Sequence, residues 1–232
     1  MPTGIHRIID QQMRRWEMAN RTRKEAAKAN PDLPRLIHPC ITIGRMLGAG
    51  GRAISERLSE SLGYPVFDRE ILEFLLREGR IRGQLIELLD ERDRSALDIW
   101  LQGIIRGKLT DKGDYLRTLV QVLGSIAAQG PAVIVGRGAN FILESHRTLH
   151  VRLVAPFSER VAAVAQNREI PRAEAEEVVQ KSDRERAAFI EHHFHRNIDD
   201  PLAYDLILNT GEVSAEAAAE LIQLGLRRKL GQ

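Results

Sequence analysis

The stretch CITIGRMLGAGGRAISERLSESLGYPVFD, residues 40–68, constrains the fold more than any other part of the chain. It begins with a short apolar run, passes through Gly48, Gly50 and Gly51, and continues with apolar residues at helical spacing as far as Gly63. Proteins build phosphate-binding loops in this way, because glycine lets successive backbone N–H groups approach phosphates closely. The order of elements therefore predicts an α/β fold with an anion site at the turn.

The rest of the chain continues the alternation of strand and helix. Four further apolar runs predict strands, and helical patterns lie between them: YPVFD, AVIVGRG, LHVRLVA and YDLILNT. Continuous apolar runs indicate strands buried on both faces, as in parallel sheets joined by right-handed crossovers. We therefore predict a five-stranded parallel α/β core with a helical insertion, residues 69–129, between the second and third strands. Ser214 is the expected N-cap of the last helix.

The first 39 residues differ in character from the rest. Apolar residues at helical spacing predict a helix over residues 5–28, and the segment NPDLPRLIHPC contains three prolines. Residues 1–30 contain seven basic and three acidic residues, whereas the whole chain carries a net charge of only +2. We predict a basic helical extension and proline-rich linker over residues 1–39, which packs on the chain or forms a homodimer; no nucleic-acid partner is expected.

Cysteine content and hydropathy indicate the compartment. Cys40 is the only cysteine, so no intrachain disulfide can form, and its place in an apolar run predicts a core residue. No run of about 18 apolar residues is present. The N-terminus also lacks the apolar region of a secretory signal. These features predict a cytoplasmic protein without a membrane span.

The glycine loop departs from the usual phosphate-loop motif. That motif ends in Gly-Lys-Ser/Thr, but this chain has Gly51 where the lysine would stand and Arg52 where the hydroxyl would stand. Either Arg52 or Arg45 can supply the missing positive charge, because a guanidinium group binds phosphate in a bidentate manner. The residues expected to bind the phosphates are Arg45, Gly48, Ala49, Gly50, Gly51, Arg52 and Ala53.

Two other interpretations of the loop stay open on the residues alone. Gly48-x-Gly50-x-x-Ala53 fits the dinucleotide fingerprint, and Asp68 follows twenty residues after Gly48. In that fingerprint, however, the first glycine comes almost directly after the strand, whereas residues 45–47 intervene here. The third interpretation is a tight turn without a ligand.

The chain resembles the cytidylate kinase-like proteins, which are relatives of the nucleoside monophosphate kinases. That family opens with a strand, Ser-Arg-x-x-Gly-Ser-Gly-Gly-Arg, a helix and an aromatic-Asp pair; here Gly44 replaces the serine, and Arg45, Gly48 and Asp68 match. The resemblance continues over residues 40–225 through the segments LLDERDRS, AVIVGRGANFIL, APFSERVAAV, DRERAAF and DPLAYDLILNT.

The resemblance implies a function and a domain plan. It implies phosphoryl transfer from ATP, with Mg²⁺, to a nucleoside monophosphate, with a CMP- or dCMP-like acceptor expected. It also implies a kinase-like domain over residues 40–232, with residues 69–129 as the monophosphate-binding insertion and residues 166–198 as a lid. The fold would then be that of a P-loop nucleoside monophosphate kinase, with three layers around the parallel sheet.

The resemblance also assigns roles to single residues. Arg137, Asp68 and Arg69 would face the acceptor nucleotide, whereas Arg184 and Arg186 would reach across the transferring phosphate. The expected catalytic residues are Arg52, Arg137, Arg184 and Arg186. Since the loop lacks its lysine and hydroxyl, the alternative is a non-catalytic nucleotide-binding or regulatory protein with a degenerate loop.

A group of histidines near the end of the predicted lid raises the question of a metal. His192 and His195 stand three residues apart on a helical pattern, with His193 between them. No cysteine or second ligand pair lies near them in the sequence. We therefore expect a helix surface here, and no metal site is predicted.

Overall fold

The computed structural model describes residues 4–29, 38–89, 113–143 and 146–231, together with the single residues 95, 99 and 102. The side chains of residues 19–29 are outside this description. The predicted helix ALDIWLQGII and the end of the predicted helix GQLIELLDERD fall mostly outside the described ranges.

Five parallel strands form one sheet, as the sequence predicts. In chain order they are β1 Cys40–Arg45, β2 Val66–Phe67, β3 Ala132–Val135, β4 Thr148–Val154 and β5 Leu206–Asn209. Their order across the sheet is β2-β3-β1-β4-β5. In the pairing of β4 with β5, Val151 lies opposite Leu206 and Val154 lies opposite Asn209. The strands therefore end at a common edge, from which the glycine loop follows β1.

Helices connect the strands and flank the sheet. Their bounds are α1 Gly4–Ala29, α2 Gly51–Leu62, α3 Arg69–Arg77, α4 Gly79–Glu87, α5 Asp114–Gln129, α6 Ala139–Ile142, α7 Phe157–Arg168, α8 Arg172–Phe194 and α9 Ala215–Lys229. The Ser214 hydroxyl accepts a hydrogen bond from the Ala217 N–H at 3.2 Å, which confirms the predicted N-cap. The short helix α6 and a 3₁₀ turn, Pro201–Ala203, were not predicted. Within the described residues, no helix is long and apolar enough to cross a membrane.

The chain forms two compact units. Unit 1 comprises residues 1–40 and 67–132, and unit 2 comprises residues 41–66 and 133–232. Unit 2 therefore contains nearly all of the sheet, apart from strand-end residues such as Cys40. The division of the chain at residue 39, with an insertion and a lid, stays a prediction.

The N-terminal helix packs inside unit 1. Ile9 and Trp16 are buried, and the Trp16 ring stacks on Phe67 with 5.7 Å between ring centroids. The His6 ring meets Phe74 of α3 edge-on at 4.5 Å. These contacts pack part of α1 against residues of its own chain, and a homodimer through this helix stays a prediction.

The lone cysteine is a core residue, as the sequence predicts. Cys40 is fully buried, and its burial raises the pKa of the thiol to about 12, against a smaller lowering effect of a backbone hydrogen bond with Ala132. A thiol that stays protonated is a poor nucleophile. Cys40 therefore contributes packing rather than chemistry.

The main core of unit 2 lies between one face of the sheet and two helices. Alternate strand residues point to this face because successive side chains of a strand alternate. They pack against α2 and α9; the core includes Ile41, Ile43, Val133, Val135, Leu149, Val151, Leu153, Ile54, Leu58, Ile222 and Leu226. Burying one such side chain stabilises the fold by roughly 1.5–3 kcal/mol, so this face fixes α2 and the loop that precedes it.

A buried histidine lies on the opposite face of β4. The Nδ1 atom of His150 lies 2.7 Å from the hydroxyl of buried Thr42. The His150 N–H donates to the Asp205 carboxylate at 2.7 Å, and the Lys229 ammonium lies 2.5 Å from the same oxygen. Burial lowers the pKa of His150 from 6.5 to about 4, with smaller opposing effects of Asp205, which raises it, and Lys229, which lowers it.

This lowered pKa predicts a pH dependence of stability. Between pH 6.5 and 4 the unfolded chain protonates this histidine but the folded chain does not, so the free energy of unfolding falls as the pH falls through this window. The loss contributed by His150 is about 3 kcal/mol. Urea denaturation of the wild type and of His150→Asn at pH 7 and pH 4.5 measures it.

The matched control is His195→Asn, which removes an exposed histidine. We expect the stability of this control to depend on pH as the wild type does, whereas His150→Asn loses a large part of the dependence. Equal pH dependence in the wild type and both variants would contradict the assignment of the effect to His150.

Candidate active site

The glycine loop begins where β1 ends and finishes as the first turn of α2. The Met46 N–H donates to the Leu153 carbonyl at 3.1 Å, which ties the start of the loop to β4. Gly50 is the N-cap of α2 and has a left-handed conformation, with φ 65°. No side-chain hydrogen bond caps the start of the helix at this residue. The first N–H groups of a helix lack intrahelical partners and carry partial positive charge. This end of α2 is therefore suited to an anion.

Gly48 is required by the close approach of another backbone segment. Its φ of 85° lies in the left-handed region. A Cβ atom at this position would lie 2.5 Å from the Arg160 carbonyl oxygen and 2.8 Å from the Arg160 Cα. The loop therefore passes directly against the first turn of α7, and no residue with a side chain fits here.

An ion pair between buried Arg160 and partly buried Asp183 holds α7, α8 and the loop together. The side chain of Arg160 is 6% exposed, and its Nη1 atom lies 3.0 and 2.9 Å from the two carboxylate oxygens of Asp183. The Arg160 Nε–H donates to the Ala155 carbonyl at 3.1 Å, and Nη1 lies 3.5 Å from the Leu47 carbonyl. The geometry makes Arg160 a supporting residue of the loop.

Arg45 lies over the start of α2. A Cβ atom at Gly51 would overlap the Arg45 Cδ and would lie 3.2 Å from Nε. The Arg45 Nη1 atom lies 3.7 Å from the Cβ position of Gly136, which follows β3. The Arg45 carbonyl accepts a hydrogen bond from Arg186 of α8. Arg45 therefore joins the loop, the end of β3 and α8.

Two other predicted site arginines lie on the surface. The Arg52 side chain is 91% exposed and pairs with Glu56 of the same helix at 2.9 Å. Arg184 of α8 is also exposed, whereas Arg186 of the same helix is half-buried. Ala53 is exposed in the first turn of α2. Arg186, by contrast, contacts the Arg45 carbonyl at the end of β1, where the loop begins.

Arg137 has an unusual backbone conformation. Its φ is 53°, and it stands between two glycines that also have positive φ, Gly136 and Gly138. The guanidinium group lies 4.9 Å from the centroid of the Phe189 ring of α8. A left-handed arginine persists only where its surroundings fix it, and such residues cluster at functional sites. The stacking on Phe189 supplies part of that constraint.

The end of β5 also reaches the loop. The Thr210 hydroxyl lies 3.3 Å from the Ala49 carbonyl and 3.1 Å from the Val154 carbonyl. Thr210 thus ties the loop to the ends of β4 and β5. The sequence marks Asn209 and Thr210 only as the end of a strand, and the hydrogen bond to the loop could not be read from it.

Asp68 and Arg69 belong to unit 1. The Asp68 carboxylate accepts a hydrogen bond from the Ile71 N–H at 3.0 Å and so caps α3. Arg69 is the exposed first residue of that helix. The capping bond accounts for the carboxylate at position 68 without a ligand, and the acceptor-binding role of both residues stays a prediction.

The histidines near the end of α8 contact aromatic rings. His192 and His193 meet edge-on at 4.7 Å, and the His193 ring lies 4.6 Å from Phe189. His195 is exposed in the left-handed position that ends α8. Among the residues that the structure describes, no three His, Cys, Asp or Glu side chains group together as metal ligands would.

Sequence reasoning missed the role of Asp183. The segment DRERAAF contains Asp183 and Arg186 at a spacing of three, which places them on one face of a helix. Phe189 follows at the same spacing, so one face of α8 contacts Arg160, the Arg45 carbonyl and Arg137. That periodicity is the signal that could have identified the supporting residues.

The chain belongs to the cytidylate kinase-like family, whose model matches residues 40–212. No curated protein matches the chain in sequence. Family membership supports a kinase-type enzyme that transfers a phosphoryl group to a small substrate, and it favours the phosphate-loop interpretation over the dinucleotide one.

Solved structures support the fold. An uncharacterized protein from Eubacterium ventriosum is similar with a TM-score of 0.64 and 19% identity, over 84% of this chain and 99% of that one. A gluconokinase from Sinorhizobium meliloti gives a TM-score of 0.46 and 15% identity over 85% and 96% of the two chains. A shikimate kinase from Acinetobacter baumannii gives 0.40 and 16% over 83% and 96%. The first of these similarities supports the fold, and the other two have TM-scores below 0.5.

Gly48→Ala tests the close approach of the loop to α7. The left-handed conformation alone costs about 1–2 kcal/mol for alanine, and the clash with the Arg160 backbone adds to this. Gly63→Ala is the matched control, because Gly63 has φ 69° and nothing within 4 Å of its Cβ position. Urea denaturation should show a larger loss for Gly48→Ala, and equal losses would refute the packing argument.

Asp183→Asn tests the ion pair that supports the loop. Because it removes the charge that compensates buried Arg160, while Asp183 itself is 34% exposed and partly screened by water, we expect a loss of about 1–2 kcal/mol in the free energy of unfolding. Glu176→Gln removes the acidic partner of Arg172 from an exposed pair on the same helix, and it should cost less than about 0.5 kcal/mol. A loss for Asp183→Asn as small as that of the control would contradict the supporting role of this pair.

Proposed function

We propose that the chain transfers the γ-phosphoryl group of ATP to a nucleoside monophosphate, with a CMP- or dCMP-like acceptor. The observation that carries the proposal is the uncapped start of α2, with Arg45 lying across it and bonded through its carbonyl to Arg186. A kinase needs positive charge at the site where phosphate charge develops, and in an α/β fold the N-termini of the helices that follow the carboxyl ends of the strands supply part of it.

The transfer needs positioning and neutralisation rather than a covalent catalyst. An oxygen of the acceptor phosphate forms a bond to the γ-phosphorus, while the bond from that phosphorus to the β–γ bridging oxygen breaks and ADP leaves with the electron pair. The acceptor phosphate is already ionised, so no strong general base is required. In this proposal the loop N–H groups and Arg45 bind the triphosphate, and Arg137 and Arg186 neutralise charge on the transferring group.

The residues of the loop fit a phosphate chain. The Gly48 and Gly51 positions have no room for a Cβ, and the helix that follows begins without a side-chain cap. Magnesium fits less well as a protein-bound ion: Arg52 replaces the usual hydroxyl, and the buried Ser55 donates its own hydroxyl to the Arg52 carbonyl at 2.9 Å. When bound, Mg²⁺ would neutralise phosphate oxygens, held mainly by those oxygens and water.

Family membership is the basis for the remaining parts of the proposal. A nucleoside monophosphate substrate and ATP imply the cytoplasm. Arg184, Arg52, Asp68 and Arg69 stay predicted contacts that rest on the resemblance. Residues 166–198 are proposed as a lid, whose closure would exclude water from the reaction.

A second candidate function is nucleotide binding without transfer. It is favoured by the exposure of Arg52 and its pairing with Glu56, because the position that would carry the hydroxyl then has no side-chain oxygen to bind Mg²⁺. Calorimetry with ATP would show binding, and the coupled assay described next would show no turnover.

The kinase proposal predicts ADP release in a coupled assay with ATP and one acceptor at a time. We expect turnover with CMP or dCMP, and less with UMP, AMP and GMP. Arg137→Met should lower kcat/KM by about 10²-fold, since removal of one charged group from such a site costs this order of magnitude. Arg227→Met, which changes an exposed arginine in the last turn of α9, is the control. Folded protein without turnover on any acceptor would rule the kinase out.

A further inference from the structure

The space above Gly51 is filled by the arm of Arg45. A Cβ atom at Gly51 would overlap Arg45 Cδ and would lie 3.2 Å from Nε and 3.4 Å from Cβ. The overlapping atom, Cδ, is not at the flexible end of the side chain, so Arg45 would have to change an inner torsion to make room. A lysine at position 51, where the usual motif has one, therefore cannot coexist with Arg45 as it stands.

Two hydrogen bonds fix the peptide group between Arg45 and Met46. Its carbonyl accepts a hydrogen bond from Arg186, and the next N–H, that of Met46, donates to Leu153 at 3.1 Å. Arg45 is the last residue of a buried strand. The point from which its side chain starts is thus fixed by the backbone, and in the structure the guanidinium group lies near Gly136, between α2 and the end of β3.

The other candidate cation lies elsewhere. Arg52 is 91% exposed and pairs with Glu56 one turn further along the outer face of α2. To reach a phosphate at the start of α2, it would have to leave this partner and turn back over the helix end. The sequence does not show which of the two arginines would bind the phosphates, whereas in the structure their side chains point in different directions.

We propose that Arg45 is the phosphate-binding cation of the loop and occupies the space that a lysine at position 51 would need. The inference deepens the proposed function and rests on it. The residues at positions 45 and 51 then depend on each other: the arginine side chain at the end of β1 leaves room only for glycine at the first position of α2. The ligand is the triphosphate of a nucleotide, recognised by a guanidinium group and helix N–H groups.

Calorimetric titration of the full chain with a non-hydrolysable ATP analogue tests the pair. Arg45→Met keeps an unbranched arm over Gly51 but removes the charge, so the fold is preserved. We expect its affinity to fall by about 10- to 100-fold, as for loss of a charge-assisted hydrogen bond. The affinity of Arg57→Ala, which removes an exposed arginine of α2, should stay within about twofold of that of the wild type.

A double variant gives the sharper result. Gly51→Lys alone should lose affinity and stability because the new side chain meets Arg45. Arg45→Ala with Gly51→Lys removes the obstacle and returns a cation, so it should bind the analogue at least about fivefold more tightly than Arg45→Ala alone, as expected for a regained charge-assisted bond. No recovery in a folded double variant would overturn the inference.

The outcomes separate this inference from the proposed function. Equal affinities for Arg45→Met and Arg57→Ala, or a larger loss for Arg52→Ala than for Arg45→Met, would overturn the assignment of Arg45 while leaving nucleotide binding intact. If the analogue binds, depends on Arg45 and yet no acceptor is phosphorylated, the assignment holds and the kinase proposal fails. If the wild-type chain binds no analogue, both fail together.

Discussion

The ion pair of buried Arg160 with partly buried Asp183 is the interaction on which the geometry of the proposed phosphate site depends. Burying a guanidinium group is costly unless its charge is compensated and its N–H groups find acceptors. Asp183 supplies the charge, and the Ala155 and Leu47 carbonyls supply acceptors. Because the backbone of Arg160 also presses against Gly48, the pair fixes the loop as well as the two helices. The same face of α8 then reaches the Arg45 carbonyl through Arg186.

Much of the fold follows from local pattern. The strands β1, β3 and β4 were predicted correctly as buried on both faces, and a doubly buried strand leaves a continuous apolar run in the sequence. The edge strand β5 has a similar apolar run, but its Ile207 is 45% exposed, so the expectation of burial on both faces was wrong there. The N-caps at Asp68 and Ser214 are also local, since the acceptor and the N–H lie three residues apart. The four-residue helix α6 was missed because one turn carries no periodicity to detect.

The site was predicted less completely, and the reason is side-chain direction. The sequence places both Arg45 and Arg52 beside the glycines, but it contains no information on which one crosses the helix start and which one pairs with Glu56. That choice depends on the end of β1 and on contacts more than a hundred residues away, such as the one from Arg186. The role of Arg160 was hidden for the same reason, because its partners include Asp183 and the Leu47 carbonyl, which belong to separate segments.

The half-buried position of Arg45 has a consequence for proton exchange. A lysine ammonium group that is partly desolvated loses its proton readily, so loops built around lysine carry a charge that varies with their surroundings. A guanidinium group keeps its proton throughout the range in which proteins stay folded. The cation proposed for this loop would therefore neither take up nor release a proton when a triphosphate binds.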